Sequence, residues 1–212
     1  MRFFVLFVIF TFRLFAFQLI EPLREAKVGE YFLFSHKKNA ALVIVRHVSK
    51  KEIVFHEIHA PTPPLNVHEW LRQKAPGHTS WIEVRLDSAS GAVKSAYCHL
   101  RSSWLPKEDQ KFTTTLLTLP FKKTSHEERR RCGAPTRDNP LPRHLWEPPT
   151  PQGLKKMPSK PYVSHWPKDG SELAGGRVEV YMLEGSALPT WIEVRRANLK
   201  EYIRLLATGH LD

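Results

Sequence analysis

Trp81-Ile82-Glu83-Val84-Arg85 occurs a second time, unchanged, as Trp191-Ile192-Glu193-Val194-Arg195. The flanks agree too, with Thr79-Ser80 before the first copy and Pro189-Thr190 before the second. In each copy isoleucine and valine alternate with Trp, Glu and Arg, the period-two pattern of a strand buried on one face. A recurring strand of this composition points to two copies of one β-module. Working outward, Ser80 to Leu86 is expected to pair with Ala92 to Cys98 around the turn Asp87-Ser88-Ala89-Ser90-Gly91. Ile82, Val84 and Leu86 then share the core face, and Trp81, Glu83 and Arg85 share the other.

Upstream, residues 28 to 60 have the form of a β-meander. Tyr31 to Phe34, Ala41 to Val48 and Ile53 to His59 are apolar or β-branched runs separated by short polar breaks. Leu42-Val43-Ile44-Val45 is apolar on both faces, which places that strand near the sheet centre. Pro61, Pro63 and Pro64 end the pairing. Asn66, with Glu69 three residues on, then caps a short helix carrying Val67, Trp70 and Leu71, stopped by Pro76-Gly77. These strands and hairpins make up a first module over 28–110.

Residues 111–134 are expected to hold a strand, Phe112 to Leu119, and a charged helix opened by Ser125 and Glu128 and ended by Gly133. The arginines Arg129, Arg130 and Arg131 fall near that helix's C-terminus, where they complement its dipole. Nine of the 17 prolines lie between Pro135 and Pro167. With Trp146 and Trp166 as apolar anchors, 135–167 is expected to be an ordered loop and not a free linker. A second module follows over 168–212: a turn at Lys168-Asp169-Gly170, the alternating strand Val178, Val180 and Met182, and the repeated strand. Its last segment also fits a helix from Leu199 to Leu206. The repeat favours a strand, because the equivalent segment in the first module is one.

The fold expected is therefore mainly β: antiparallel sheets in a barrel-like or sandwich arrangement of two related β-modules, with short helices.

Arg143-His144-Leu145-Trp146, Trp166 to Leu173, Val178-Glu179-Val180-Tyr181 and Leu188-Pro189-Thr190-Trp191 resemble conserved uncharacterised exported proteins of the chlamydia lineage. The resemblance covers about residues 112 to 208. It implies export and a strand for the last segment, and it carries no activity.

The N-terminus has the form of an export signal: Met1-Arg2, an apolar run from Phe3 to Phe12, and the small Ala16 at a plausible cleavage point. The run is short for a bilayer span, and continuing it to Ile20 takes in Arg13 and Gln18, so an uncleaved anchor is the alternative. Export would place the chain in the periplasm, the cell envelope or outside the cell. Cys98 and Cys132 are the two cysteines. A bridge between them would close a loop of about 35 residues, on the order of 3 kcal/mol, though Cys98 also reads as a small buried hydrophobe.

The 212 residues carry a formal charge of +11, from 32 basic and 21 acidic side chains. That charge favours an anionic envelope component, an acidic protein or peripheral membrane contact. Nucleic acid is a poor fit, since zinc-finger spacing, an RNP-like motif and a basic heptad helix are all missing. No cofactor or metal motif stands out among the 11 histidines. His56 and His59 fall on opposite faces of one strand, and Cys98 and His99 are adjacent on another and so point apart. A nucleophile elbow and a phosphate-cradling glycine loop are likewise missing.

The best candidate binding residues are Trp81, Glu83 and Arg85, their twins Trp191, Glu193 and Arg195, and the run Arg129 to Arg131. The function expected is non-catalytic: an exported envelope interaction protein with a basic surface. A carrier enclosing an acyl chain is the alternative, and an enzyme of unknown type the third.

Overall fold

The protein is described by a computed structural model covering residues 16–37, 39–124, 159–196 and 199–211. The segment expected to form a charged helix with Arg129, Arg130 and Arg131, together with Cys132 and Trp146, lies outside these residues, as does all of the N-terminal segment before Ala16. The described strands form one antiparallel, eleven-stranded sheet that does not close on itself.

Its first half is a meander of β1 (Glu30–His36), β2 (Asn39–Val48), β3 (Glu52–Ala60), β4 (Ser80–Asp87) and β5 (Val93–Cys98), extended by the short edge strand β6 (Ser103–Trp104). Its second half is a meander of β7 (Lys122–Lys123), β8 (Lys160–His165), β9 (Arg177–Met182), β10 (Trp191–Arg196) and β11 (Leu199–His210). The spatial order β6-β5-β4-β3-β2-β1-β11-β10-β9-β8-β7 joins the two halves head to tail through β1 and β11. The repeated pentapeptide thus lies in the fourth strand of each meander.

The turns follow from local chemistry. Ser49 Oγ accepts from the backbone N–H of Lys51 and Glu52 to close β2–β3. Asp87 accepts from the backbone N–H and the hydroxyl of Ser90 at 2.8 Å each, which holds its carboxyl down at about 2. Gly91 completes that turn with φ +71°, and a Cβ there would come within 3.1 Å of Thr118 and 3.3 Å of Ile20. Glycine is thus required both by the backbone conformation and by close approach of two helices.

Both faces of the sheet are partly covered. On the concave face Phe32, Phe34, Val45, Phe55, Val84, Leu86, Val180, Ile192 and Leu205 form the main core with α1 (Ile20–Leu23) and α3 (Lys111–Thr118). Strands from both ends of the sheet contribute to this one cluster, so the sheet is strongly curled, barrel-like without closure. On the convex face Tyr31, Leu33, Leu42, Ile44 and Ile58 pack under α2 (Val67–Arg72). This double coverage is why Leu42 to Val45 is apolar throughout. Asn66 caps α2 by accepting from the Glu69 N–H at 3.1 Å.

Two expectations are corrected. Phe112 to Leu119 is not a strand: Lys111–Thr118 is α3. Its threonines favour strand, but Phe112, Leu116 and Leu117 are spaced for one helix face, and burial of Leu116 and Leu117 outweighs the weak propensity. Thr118 Oγ1 also bonds back to the Thr114 carbonyl, four residues earlier. Likewise, 135–167 is not all loop. Lys160–His165 is β8, with Pro161 and Ser164 buried, and the prolines around it disguise the alternation. Trp166 is buried against the core, as an anchor would be. The last segment is strand β11, not helix.

Candidate functional site

The two copies of the repeated strand present the same faces. Ile82, Val84 and Leu86, and likewise Ile192 and Val194, join the concave core. Trp81, Glu83 and Arg85, with their twins, lie on the convex side. Their surroundings differ sharply.

Around the second copy the polar groups pair internally. Arg195 Nε donates to Glu193 Oε1, and Arg177 Nε donates to Glu179 Oε1 at 2.8 Å. Register sets Glu193 beside Glu179 and Arg195 beside Arg177, so two acid–base pairs adjoin. Glu193 is 1% exposed. The Trp191 ring lies flat on Tyr202, centroids 4.6 Å apart and planes within 6°. This arrangement is built for packing.

Around the first copy histidines replace that arrangement. Register sets His56 of β3 directly against Glu83, and the His99 N–H donates to the Trp81 carbonyl, extending the β4–β5 ladder by one residue. His56, Glu83 and His99 consequently converge, with one potential ligand atom from each lying within 4.8 Å of the others. His56 Nε2 is 3.5 Å from Glu83 Oε2, while Arg85 holds Glu83 Oε1 at 2.8 Å. The Trp81 indole N–H donates to His56 Nδ1 at 3.2 Å, and His78 and His99 lie edge-on or tilted against the Trp81 ring. Tyr97 and the exposed Trp104 continue the aromatic surface to the sheet edge. Sequence spacing does not reveal this group, since its members come from β3, β4 and the turn after β5, which tertiary pairing brings together. Cys98, by contrast, is buried on the core side, away from His99.

Burial, with Arg46 nearby, lowers the His56 pKa from 6.5 despite the opposing pull of Glu83. His59 lies on the other face of β3, where its hydrogen bond to Glu57 at 2.7 Å raises its pKa from 6.5 against the cost of burial. Burial also pushes Glu83 upward, but the Arg85 hydrogen bond and charge outweigh it and the net shift is down. The stability that His56 contributes is complete above pH 6.5 and is lost as pH falls through its folded value. That of His59 is complete below pH 6.5 and is lost as pH rises through its folded value. In an NMR titration, His56 is therefore expected to have its midpoint below 6.5 and His59 above it. The reverse order would contradict the assigned environments.

The concave face holds the second candidate. A cleft of about 440 Å³ opens beside α3 at the β1–β11 joint. It adjoins an apolar pocket of about 150 Å³. Phe34, Ala41, Glu57, Phe112, Ile192 and Ile203 line both. Ionisable groups also line the cleft. His59 pairs with Glu57, and Glu201 accepts from Lys37 and contacts His36 Nε2, each at 2.8 Å. Within the described residues no helix is long and apolar enough to cross a membrane.

These features define a curled, open-sheet β protein with an apolar concave cleft and a histidine-rich convex patch. The chain belongs to the CT021 protein family, whose model matches residues 41–154. Its fold is similar to the structure of the hypothetical protein CT021 from Chlamydia trachomatis, with a TM-score of 0.66 at 19% identity, over 92% of this chain and 93% of that one. The resemblance to chlamydial proteins read from the C-terminal motifs therefore holds. No curated protein matches the chain.

Proposed function

We propose that this is a non-catalytic binding protein whose concave cleft takes the acyl chain of an amphipathic ligand. The observation that carries this is the cleft itself: about 440 Å³, lined largely by apolar side chains from both meanders and α3, with the ionisable groups His36, Glu57, His59 and Glu201 also on its wall. That volume falls within the range of ligand pockets, and a mostly apolar lining with a few ionisable groups suits a chain with a polar head. Binding should be one-to-one with a fluorescent acyl probe and insensitive to salt, since apolar burial dominates it.

The formal charge of +11 favours a second reading, an interaction protein that presents a basic surface to anionic lipid or an acidic envelope partner. Arg129, Arg130 and Arg131 are its candidate contacts. Binding of that kind should fall steeply with salt, because exposed charges are screened over roughly 8 to 10 Å. The apolar N-terminal run from Phe3 to Phe12 supports export to the envelope under either reading. The identical fourth strands of the two meanders support descent from a duplicated β-module.

A further inference from the structure

We propose that His56, Glu83 and His99 bind one divalent transition-metal ion of the zinc type, through two imidazole nitrogens and one carboxylate oxygen. The site is on the convex face, behind the sheet from the cleft, and is independent of the acyl-binding reading.

Geometry is the first support. One potential ligand atom from each residue lies within 4.8 Å of the other two. Ligands at about 2.0–2.2 Å from a tetrahedral ion stand roughly 3.3–3.5 Å apart. His56 Nε2 and Glu83 Oε2 already have that spacing, at 3.5 Å. His99 follows the end of β5 and is exposed, so its side chain is the one free to close in.

The surroundings are the second. Arg85 holds Glu83 Oε1, which leaves Oε2 directed at His56 and fixes the carboxylate as a one-oxygen ligand. Supporting contacts of this kind orient the ligands of metal centres. Trp81 walls the site, with ring centroids 5.9 Å from His56 and 5.8 Å from His99. Coordination through His56 Nε2 moves the ring proton to Nδ1, so the indole N–H must release its contact there. Trp81 is thus placed to report binding. Two imidazoles with one carboxylate select zinc, cobalt, nickel or copper over magnesium and calcium. Three protein ligands leave a coordination position for water or an exogenous group. Arg46 and Arg85 add positive charge at the rim, which holds the affinity below that of a site with uncompensated carboxylates.

The second copy of the pentapeptide sharpens the assignment. In the second copy Glu193 is buried, its pair with the half-buried Arg195 adjoins Glu179 and Arg177, and the paired strand β9 offers no histidine there. The histidines are what distinguish the first copy.

The test is a Co²⁺ titration of the full chain, followed by visible absorption and tryptophan fluorescence, with Zn²⁺ as competitor. One saturable Co²⁺ per chain is expected, displaced by Zn²⁺ and not by Mg²⁺. His99→Ala and Glu83→Gln should each weaken binding by more than the ~10–100-fold typical of losing a supporting contact. Trp81→Phe should remove most of the fluorescence response while keeping the stoichiometry. His165→Ala, on the exposed part of β8, should change nothing. His99 is exposed, so its variant tests the site without risk to folding. Failure to saturate, or wild-type affinity in His99→Ala, would overturn the proposal.

Discussion

Phe32→Ala is expected to be the most damaging apolar truncation in the protein, costing about 3–5 kcal/mol. Phe32 is 1% exposed on β1, the strand that joins the two meanders. It is paired with Val43 on one side and Thr208 on the other. Removing the ring leaves a cavity between two halves that meet through β1 and β11, so neither half can collapse onto it without disturbing the joint. At roughly 2–4 °C per kcal/mol for a chain of this size, the thermal midpoint should fall by about 6–20 °C. A loss under about 1 kcal/mol would mean that the ring does not lie in the main core.

The twin arginines supply the second large effect. Arg195→Met strips the hydrogen-bonded partner from Glu193, which is 1% exposed, and leaves Lys200 Nζ at 4.0 Å from Oε2. Breaking a buried pair from one side costs about 3–5 kcal/mol, and Lys200, at the outer limit of an ion pair, offsets only part of that loss. Arg85→Met makes the same chemical change at Glu83, whose side chain is 21% exposed. Solvent and His56 compensate there, and a loss of about 1 kcal/mol or less is expected. Denaturant unfolding of the two variants checks the contrast. Equal losses would show that burial does not separate the two copies.

Much of the architecture is legible in the sequence because local alternation specifies it. The runs around Phe32, Val43 and Phe55, and both copies of Trp-Ile-Glu-Val-Arg, announce strands and their core faces. Phe112 to Thr118 misleads because threonines favour strand while two buried leucines, set by packing against the sheet, decide for helix. Lys160 to His165 is hidden because Pro161 is a poor strand signal, although the strand lies near the sheet edge where proline is tolerated. Trp81 and Glu83 are legible as candidates from the repeat. Their partners His56 and His99 are not, since cross-strand register is a long-range property that spacing along the chain does not encode. The cleft is unreadable for the same reason: Ala41 and Ile192 meet across it only because β1 pairs with β11.

Binding of an acyl chain in the concave cleft is tested most directly by Ala41→Phe. Ala41 lies opposite Phe34 on β2 and lines both the cleft and the adjoining pocket. Phenylalanine suits a strand and would occupy the space. Titration of a fluorescent acyl probe into wild-type protein should saturate at one site and hold its affinity as salt is raised. In Ala41→Phe, with thermal unfolding unchanged, affinity should drop by about tenfold or more, ~1.4 kcal/mol. Undiminished binding in that variant, or binding to anionic vesicles that vanishes with salt while the acyl probe never saturates, would contradict the cleft as the functional site.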